Sequence, residues 1–201
     1  MRVARPSLAL RLLPAACAAV AAAAVIPATA AAAPPAPVPS LQLDRYLGVW
    51  HQLAAVPAPF SLACAGDTTA TYTLDASGDV GVYNRCRTWS GGTDEIRGTA
   101  TVTDPVTNAQ LHVSFPGVPG QDQRTGDPNY IVTALGPDYS WAVVTDPSRL
   151  SGFVLSRTPA VDDSTWNDID AAIVAAGQNP CVYLTTPTAG GRADLTPLCA
   201  R

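Results

Sequence analysis

Between residues 49 and 157 apolar and polar positions alternate in short runs, broken repeatedly by Gly, Pro and Asp. The breaks recur at roughly the 8–12-residue spacing of all-β sandwiches and up-and-down barrels. The run Thr68-Thr69-Ala70-Thr71-Tyr72-Thr73-Leu74 shows the pattern most plainly. Side chains on a strand point alternately to its two faces, so Ala70, Tyr72 and Leu74 share one face and the threonines the other. Asp75-Ala76-Ser77-Gly78 has the composition of a turn. The chain then returns through 80–87, with Val82, Asn84 and Cys86 on one face. Runs at 49–56, 95–103, 110–115, 129–135, 141–145 and 152–157 bring the number of predicted strands to eight, joined in sequence. A Pro/Gly-rich loop fills 116–128. Eight strands is the size at which a closed barrel holds either packed side chains or one small ligand.

After Pro159 the period changes. Asp162-Asp163-Ser164 supplies a helix cap with acids at the positive end of the helix. Trp166, Ile169, Ile173 and Ala176 then recur on one helical face, and Gly177 marks the stop. Residues 181–184 read as a short ninth strand, and the tail to Cys199 as loop. The predicted fold class is therefore all-β with one helix: an eight-stranded antiparallel up-and-down β-barrel, a C-terminal α-helix and a short last strand.

The N-terminus has a different composition. Arg2, Arg5 and Arg11 precede an apolar, Ala-rich run over 12–26, and Ala28-Thr29-Ala30 offers a small-x-small cleavage site. This predicts a secretory signal peptide over 1–30 rather than a membrane anchor, for which the apolar run is short and interrupted by Pro. Cys17 lies inside that run without a Leu three residues before it, which argues against lipidation. An Ala/Pro-rich linker over 31–40 and one folded domain over 41–201 complete the expected organisation, with the product secreted or held in the cell envelope.

Export gives the remaining cysteines meaning. Cys64, Cys86, Cys181 and Cys199 form an even set, and four cysteines allow three pairings. Cys64–Cys86 and Cys181–Cys199 are expected, because each closes a short loop. A zinc site is the rival reading, but there is no Cys-x-x-Cys and no Cys/His cluster. All 12 basic residues are Arg, and the part beyond residue 30 keeps 9 of them against 16 acids, a net charge near −7. That balance argues against a nucleic-acid partner and against electrostatic docking on anionic lipid.

Several segments together resemble the lipocalin family, most closely its bacterial members of the apolipoprotein D type. They are Leu43-Asp44-Arg45-Tyr46-Leu47-Gly48-Val49-Trp50-His51-Gln52-Leu53-Ala54, then Cys64 with Thr69-Ala70-Thr71-Tyr72-Thr73-Leu74, then Val82-x-Asn84-x-Cys86, Val113-Ser114-Phe115, and Leu155-Ser156-Arg157-Thr158-Pro159. The resemblance implies that Gly48 turns the backbone in beside Trp50, that Trp50 plugs the closed end, and that Arg157 stacks on it. One departure stands out: the family's middle motif, usually Thr-Asp-Tyr, reads Thr145-Asp146-Pro147.

Catalysis finds little support. Only His51 and His112 could serve as an oriented base, alternation turns both away from the apolar faces beside them, and no Gly-x-Ser-x-Gly elbow occurs. The carboxylate pairs Asp94-Glu95 and Asp162-Asp163 start a strand and cap a helix. A thiolate chemistry at Cys64 or Cys86 is closed off if the two are bonded. Neither enzyme activity nor a metal or cofactor is expected. The inward-facing set Tyr72, Val82, Asn84, Leu111, Val113, Phe115, Tyr130, Val132 and Phe153 fits a ligand cup and a filled core equally well. The resemblance favours the cup, and implies a small hydrophobic or amphipathic ligand of the fatty acid or lysophospholipid class. Its mouth is expected at the loops over 57–65, 88–94 and 116–128, with Asn84 or Tyr130 orienting a polar group.

Overall fold

In a computed structural model of the chain, Met1 and residues 33–201 are described. The expected signal peptide, Cys17 and the start of the linker lie outside the described residues. Eight antiparallel strands follow one another: β1 (Gly48–Ala55), β2 (Cys64–Leu74), β3 (Val80–Thr88), β4 (Thr93–Val102), β5 (Gln110–Ser114), β6 (Tyr130–Leu135), β7 (Trp141–Thr145) and β8 (Gly152–Ser156). Each pairs with the next, and β1 pairs with both β2 and β8, which closes the barrel. Closure leaves the eight-stranded wall without a free edge.

Alternation sets the two faces of that wall. Ala70 and Tyr72 turn inward and are 8% and 7% exposed, while Thr69, Thr71 and Thr73 alternate outward. Leu74 departs from the expectation and is 54% exposed, because β2 ends there and runs into the 75–79 turn. That turn is fastened by the Asp75 carboxylate, which accepts from the amides of Ser77 and Asp79 at 2.9 and 3.0 Å.

One end of the barrel is shut by helix α1 (Leu43–Tyr46) and the strand that follows it. Gly48 has φ +93°, a conformation costly for any residue with a Cβ, and so delivers Trp50 into the closed end. Residues 33–40 are already attached to this body: Val38 donates its amide to Val132 O at 2.8 Å, and Arg149 donates to Ala33 O.

A second apolar layer lies outside the barrel. Helix α2 (Asp163–Ala175) is capped by Asp162, whose carboxylate accepts from the Thr165 amide at 2.7 Å. Its buried Trp166, Ile169 and Ile173 pack with Leu53, Trp141, Val143 and Val154 on the outer faces of β1, β7 and β8.

The expected ninth strand is displaced. Pro180–Val182 form a 3-10 turn, with the Asn179 side chain accepting from the Cys181 amide, and the strand β9 (Leu184–Thr185) begins beyond it. It pairs with Ala54 and Ala55 where β1 parts from β2. The following segment covers that seam so closely that a Cβ on Gly66 would lie 2.3 Å from Pro187 O. Both expected disulfides, Cys64–Cys86 and Cys181–Cys199, are formed.

Candidate functional site

The barrel is hollow. A cavity of about 850 Å³ occupies its interior and opens where the loops before β2, before β4, after β5 and after β7 gather. Cavities of roughly 300–1,000 Å³ suit small-molecule ligands. Of the nine residues expected to face the interior, Tyr72, Val82, Asn84, Leu111, Val113, Phe115, Tyr130 and Phe153 line it. Val132 does not. It lies two residues further down β6 than Tyr130, is fully buried, and packs in the closed end beneath the cavity, opposite Val144. A separate cleft of about 140 Å³ beside Pro159 and Trp166 lies outside the barrel and contains none of the expected site residues.

The plug is built as the resemblance implied. Trp50 is fully buried and donates its indole N–H to Tyr46 O at 2.8 Å. The Arg157 guanidinium lies 3.7 Å from the ring centroid and donates to Val49 O and Arg45 O at 2.9 and 2.7 Å. Neither Trp50 nor Arg157 touches the cavity. Both therefore hold the end of the barrel shut.

The middle motif needs correction. Thr145-Asp146-Pro147 sits at the β7–β8 turn, at the mouth, where Asp146 and Ser151 line the opening. The closed-end turn is 136–140, and it carries Asp138-Tyr139. Tyr139 accepts the Gln42 amide at 2.9 Å and lies under the Arg45 guanidinium. The Asp-Tyr pair expected of the family is thus present, seven residues ahead of the triplet that resembled it.

Above the plug, three phenols form the floor. Tyr46 from α1, Tyr72 from β2 and Tyr130 from β6 meet at their hydroxyls, with Tyr46–Tyr130 at 2.7 Å and Tyr72–Tyr130 at 3.0 Å. The Tyr46 and Tyr72 rings stack at 5.6 Å. Tyr46 was not among the expected residues, since a four-residue helix is too short to show a period. Burial pushes Tyr46 and Tyr130 well above the ordinary tyrosine value, and Tyr72 up to about 12.

A pH dependence follows. An unfolded tyrosine loses its proton near pH 10, and the floor tyrosines do so later. A raised folded-state value contributes stability that is complete below the unfolded value and is lost as pH climbs through the folded one. The melting temperature should therefore fall as pH rises from 10 towards 12. Floor tyrosinate absorbance should grow only together with unfolding. A tyrosinate titration complete near the ordinary value, with an unchanged melting temperature, would contradict this.

Higher up, Asn84 faces the cavity and its Oδ1 is buried with no protein partner. At the mouth, Phe60, Leu62, Trp89 and Leu150 line the opening yet are 62%, 70%, 70% and 79% exposed. The loops that carry Phe60, Leu62 and Trp89 are tied together by Cys64–Cys86 and by the Trp89 indole donating to Leu62 O at 2.9 Å. The expected loops over 57–65 and 88–94 are thus at the mouth. The third, over 116–128, contributes Val118 and Gln121 and folds against β5, where the His112 ring nitrogens stand 2.7 Å from Asp127 O and 2.9 Å from Gln123 O. His51 and His112 both lie off the cavity wall, and no cluster of potential metal ligands occurs among the described residues.

Comparison with known proteins agrees with this geometry. A family description, the lipocalin-like domain, matches residues 41–187. The chain belongs to the lipocalin family. It is 35% identical over 158 residues to temperature-induced lipocalin-1 of Arabidopsis thaliana, covering 75% of this chain and 81% of that one. It is 33% identical over 141 residues to the outer membrane lipoprotein Blc of Escherichia coli K12, covering 70% and 75% respectively. Among solved structures, insecticyanin of the tobacco hornworm Manduca sexta superposes with a TM-score of 0.61 at 16% identity, over 86% of this chain and 96% of that one. At that identity the likeness is one of fold. Lipocalins are binders of small hydrophobic molecules, and this barrel has the hollow interior such binding requires.

Proposed function

We propose that this protein binds or carries a small hydrophobic or amphipathic molecule in its barrel, of the acyl-chain class that includes fatty acids and lysophospholipids, after export from the cell. The observation that carries the reading is the open cavity of about 850 Å³ walled by Val82, Leu111, Val113, Phe115 and Phe153. Apolar burial alone gives such a wall affinity, at roughly 0.8 kcal/mol per buried CH₂. The likeness to a bacterial outer membrane lipoprotein supports a place in or beyond the envelope, as do the two disulfides.

A catalytic role has no support in the site. Cys64 and Cys86 at the mouth are bonded to each other, so neither offers a thiolate, and neither histidine reaches the cavity. A filled barrel acting only through its loops is the second reading, and the cavity speaks against it. Titration with the neutral fluorescent probe N-phenyl-1-naphthylamine tests the choice. Saturable uptake of one probe per barrel, reversed by acyl-chain compounds, is the expected result. No uptake by the oxidised protein would favour the loop-binding reading.

A further inference from the structure

The polarity of the cavity runs opposite to that of a carrier holding an anionic head at its mouth. The described charged residues on its lining are Arg85, Asp94, Glu95 and Asp146. Arg85 and Glu95 lie between inward-facing neighbours and turn outward, where Glu95 accepts the Tyr83 hydroxyl at 2.5 Å. Arg157, at the closed end beneath the floor, is spent on Trp50 and two backbone carbonyls and does not line the cavity. What remains at the mouth is acidic. Asp94 lies opposite inward-facing Cys86. Burial would raise the Asp146 carboxyl, but hydrogen bonds from Ser148 and Ser151 hold it below the usual range. A carboxylate ligand would find no cation inside and two acids at the opening.

The floor offers neutral hydrogen-bonding groups instead. Three phenols carry three O–H donors, and their two mutual contacts use two of them, leaving one to reach a ligand oxygen. Asn84 Oδ1 lacks a donor. Asn84 pairs with Ala70 and Tyr72 with Val82, so Asn84 and Tyr72 are diagonal neighbours on the inner wall. The backbones of such neighbours lie roughly 7–8 Å apart, a span that one small polar head group bridges. A hydroxyl both accepts and donates, and so answers both. A carboxylate only accepts. The exposed Phe60, Leu62, Trp89 and Leu150 at the other end then have a partner in an emerging acyl chain.

We propose that the ligand is an uncharged, hydroxyl-bearing acyl amphiphile, of the monoacylglycerol or long-chain alcohol type. It binds head-down, with its hydroxyl at Asn84 and the Tyr46–Tyr72–Tyr130 floor and its chain leading out past Trp89. This rests on the carrier reading above and narrows it: the cavity discriminates against free fatty acids.

The test uses the oxidised, delipidated protein at about pH 8, where a carboxylic acid is ionised. Dodecanol, monolauroylglycerol and laurate each compete against N-phenyl-1-naphthylamine. The two neutral compounds should bind at least about tenfold more tightly than laurate, a difference of about 1.4 kcal/mol. Asn84→Leu should erase the advantage of monolauroylglycerol over laurate, read as the ratio of their competition constants within that variant. Tyr130→Phe should act in the same direction. An ω-bromo alcohol should quench Trp89, assigned by the loss of that signal in Trp89→Phe, and leave Trp50 bright. Laurate binding as tightly as the neutral compounds, or quenching of Trp50 in place of Trp89, would overturn the proposal with the carrier reading still standing. Failure of the probe and every lipid to bind would overturn both.

Discussion

Replacing Trp50 with alanine should destabilise the protein by about 3–5 kcal/mol, the cost usual for removing a buried aromatic side chain. The indole is fully buried, and three separate contacts converge on it. The Tyr46 ring lies 5.0 Å away, the Tyr46 carbonyl accepts the indole N–H, and the Arg157 guanidinium covers the outer face. Its removal leaves a void, an unpartnered carbonyl and a stranded guanidinium together. At roughly 2–4 °C per kcal/mol for a domain of this size, the melting temperature should fall by on the order of 10 °C. Arg157→Ala should produce a smaller fall, because a cation–π contact of roughly 0.5–2 kcal/mol is lost with two hydrogen bonds. Ligand affinity should change little in Arg157→Ala, since the side chain lies off the cavity. Calorimetry and probe titration on both variants check this. An unchanged melting temperature with lost binding would show that Arg157 serves the ligand rather than the barrel.

The second large effect is on binding. Ala70 faces the cavity opposite Asn84, and its methyl group leaves the middle of the barrel open. Ala70→Trp should fill that space and weaken lipid and probe binding by on the order of 100-fold, about 2.7 kcal/mol. Stability should be nearly unchanged, because the indole enters existing volume and buries its own apolar surface. Thr71→Trp is the control. Thr71 alternates to the outer face, paired with Tyr83, so binding should survive there. Equal loss of binding in both variants would mean that the ligand does not occupy the barrel.

The barrel was legible in the sequence because its physics is local. Period-two alternation in 68–74 and 80–87, with turn residues between, is enough to place two strands and their inner faces. The same reading placed Tyr72, Val82 and Asn84 on the cavity wall. Depth was not legible. Tyr130 and Val132 share a face of β6, and only the tilt of that strand across the barrel separates a cavity residue from a packed one. Tyr46 was hidden because helix α1 is one turn long, while its ring stacks on Tyr72, 26 residues away, and its hydroxyl meets Tyr130, 84 residues away, only in the closed barrel. The ninth strand was displaced by three residues for a chemical reason: Pro180 has no N–H to offer, and Asn179 caps a turn in its place. The loops over 57–65 and 88–94 were placed at the mouth, but their apolar Phe60, Leu62 and Trp89, and Leu150 in the loop after β7, were not singled out, because apolar residues in loops carry no periodicity.

Native mass spectrometry of the protein purified from its own host tests most directly whether the hollow barrel is occupied. The expected spectrum shows an adduct of one lipid per chain, which extraction then identifies by class. A clean apo mass, with no later uptake of monolauroylglycerol or of the neutral probe, would contradict the account and leave the loops as the functional surface.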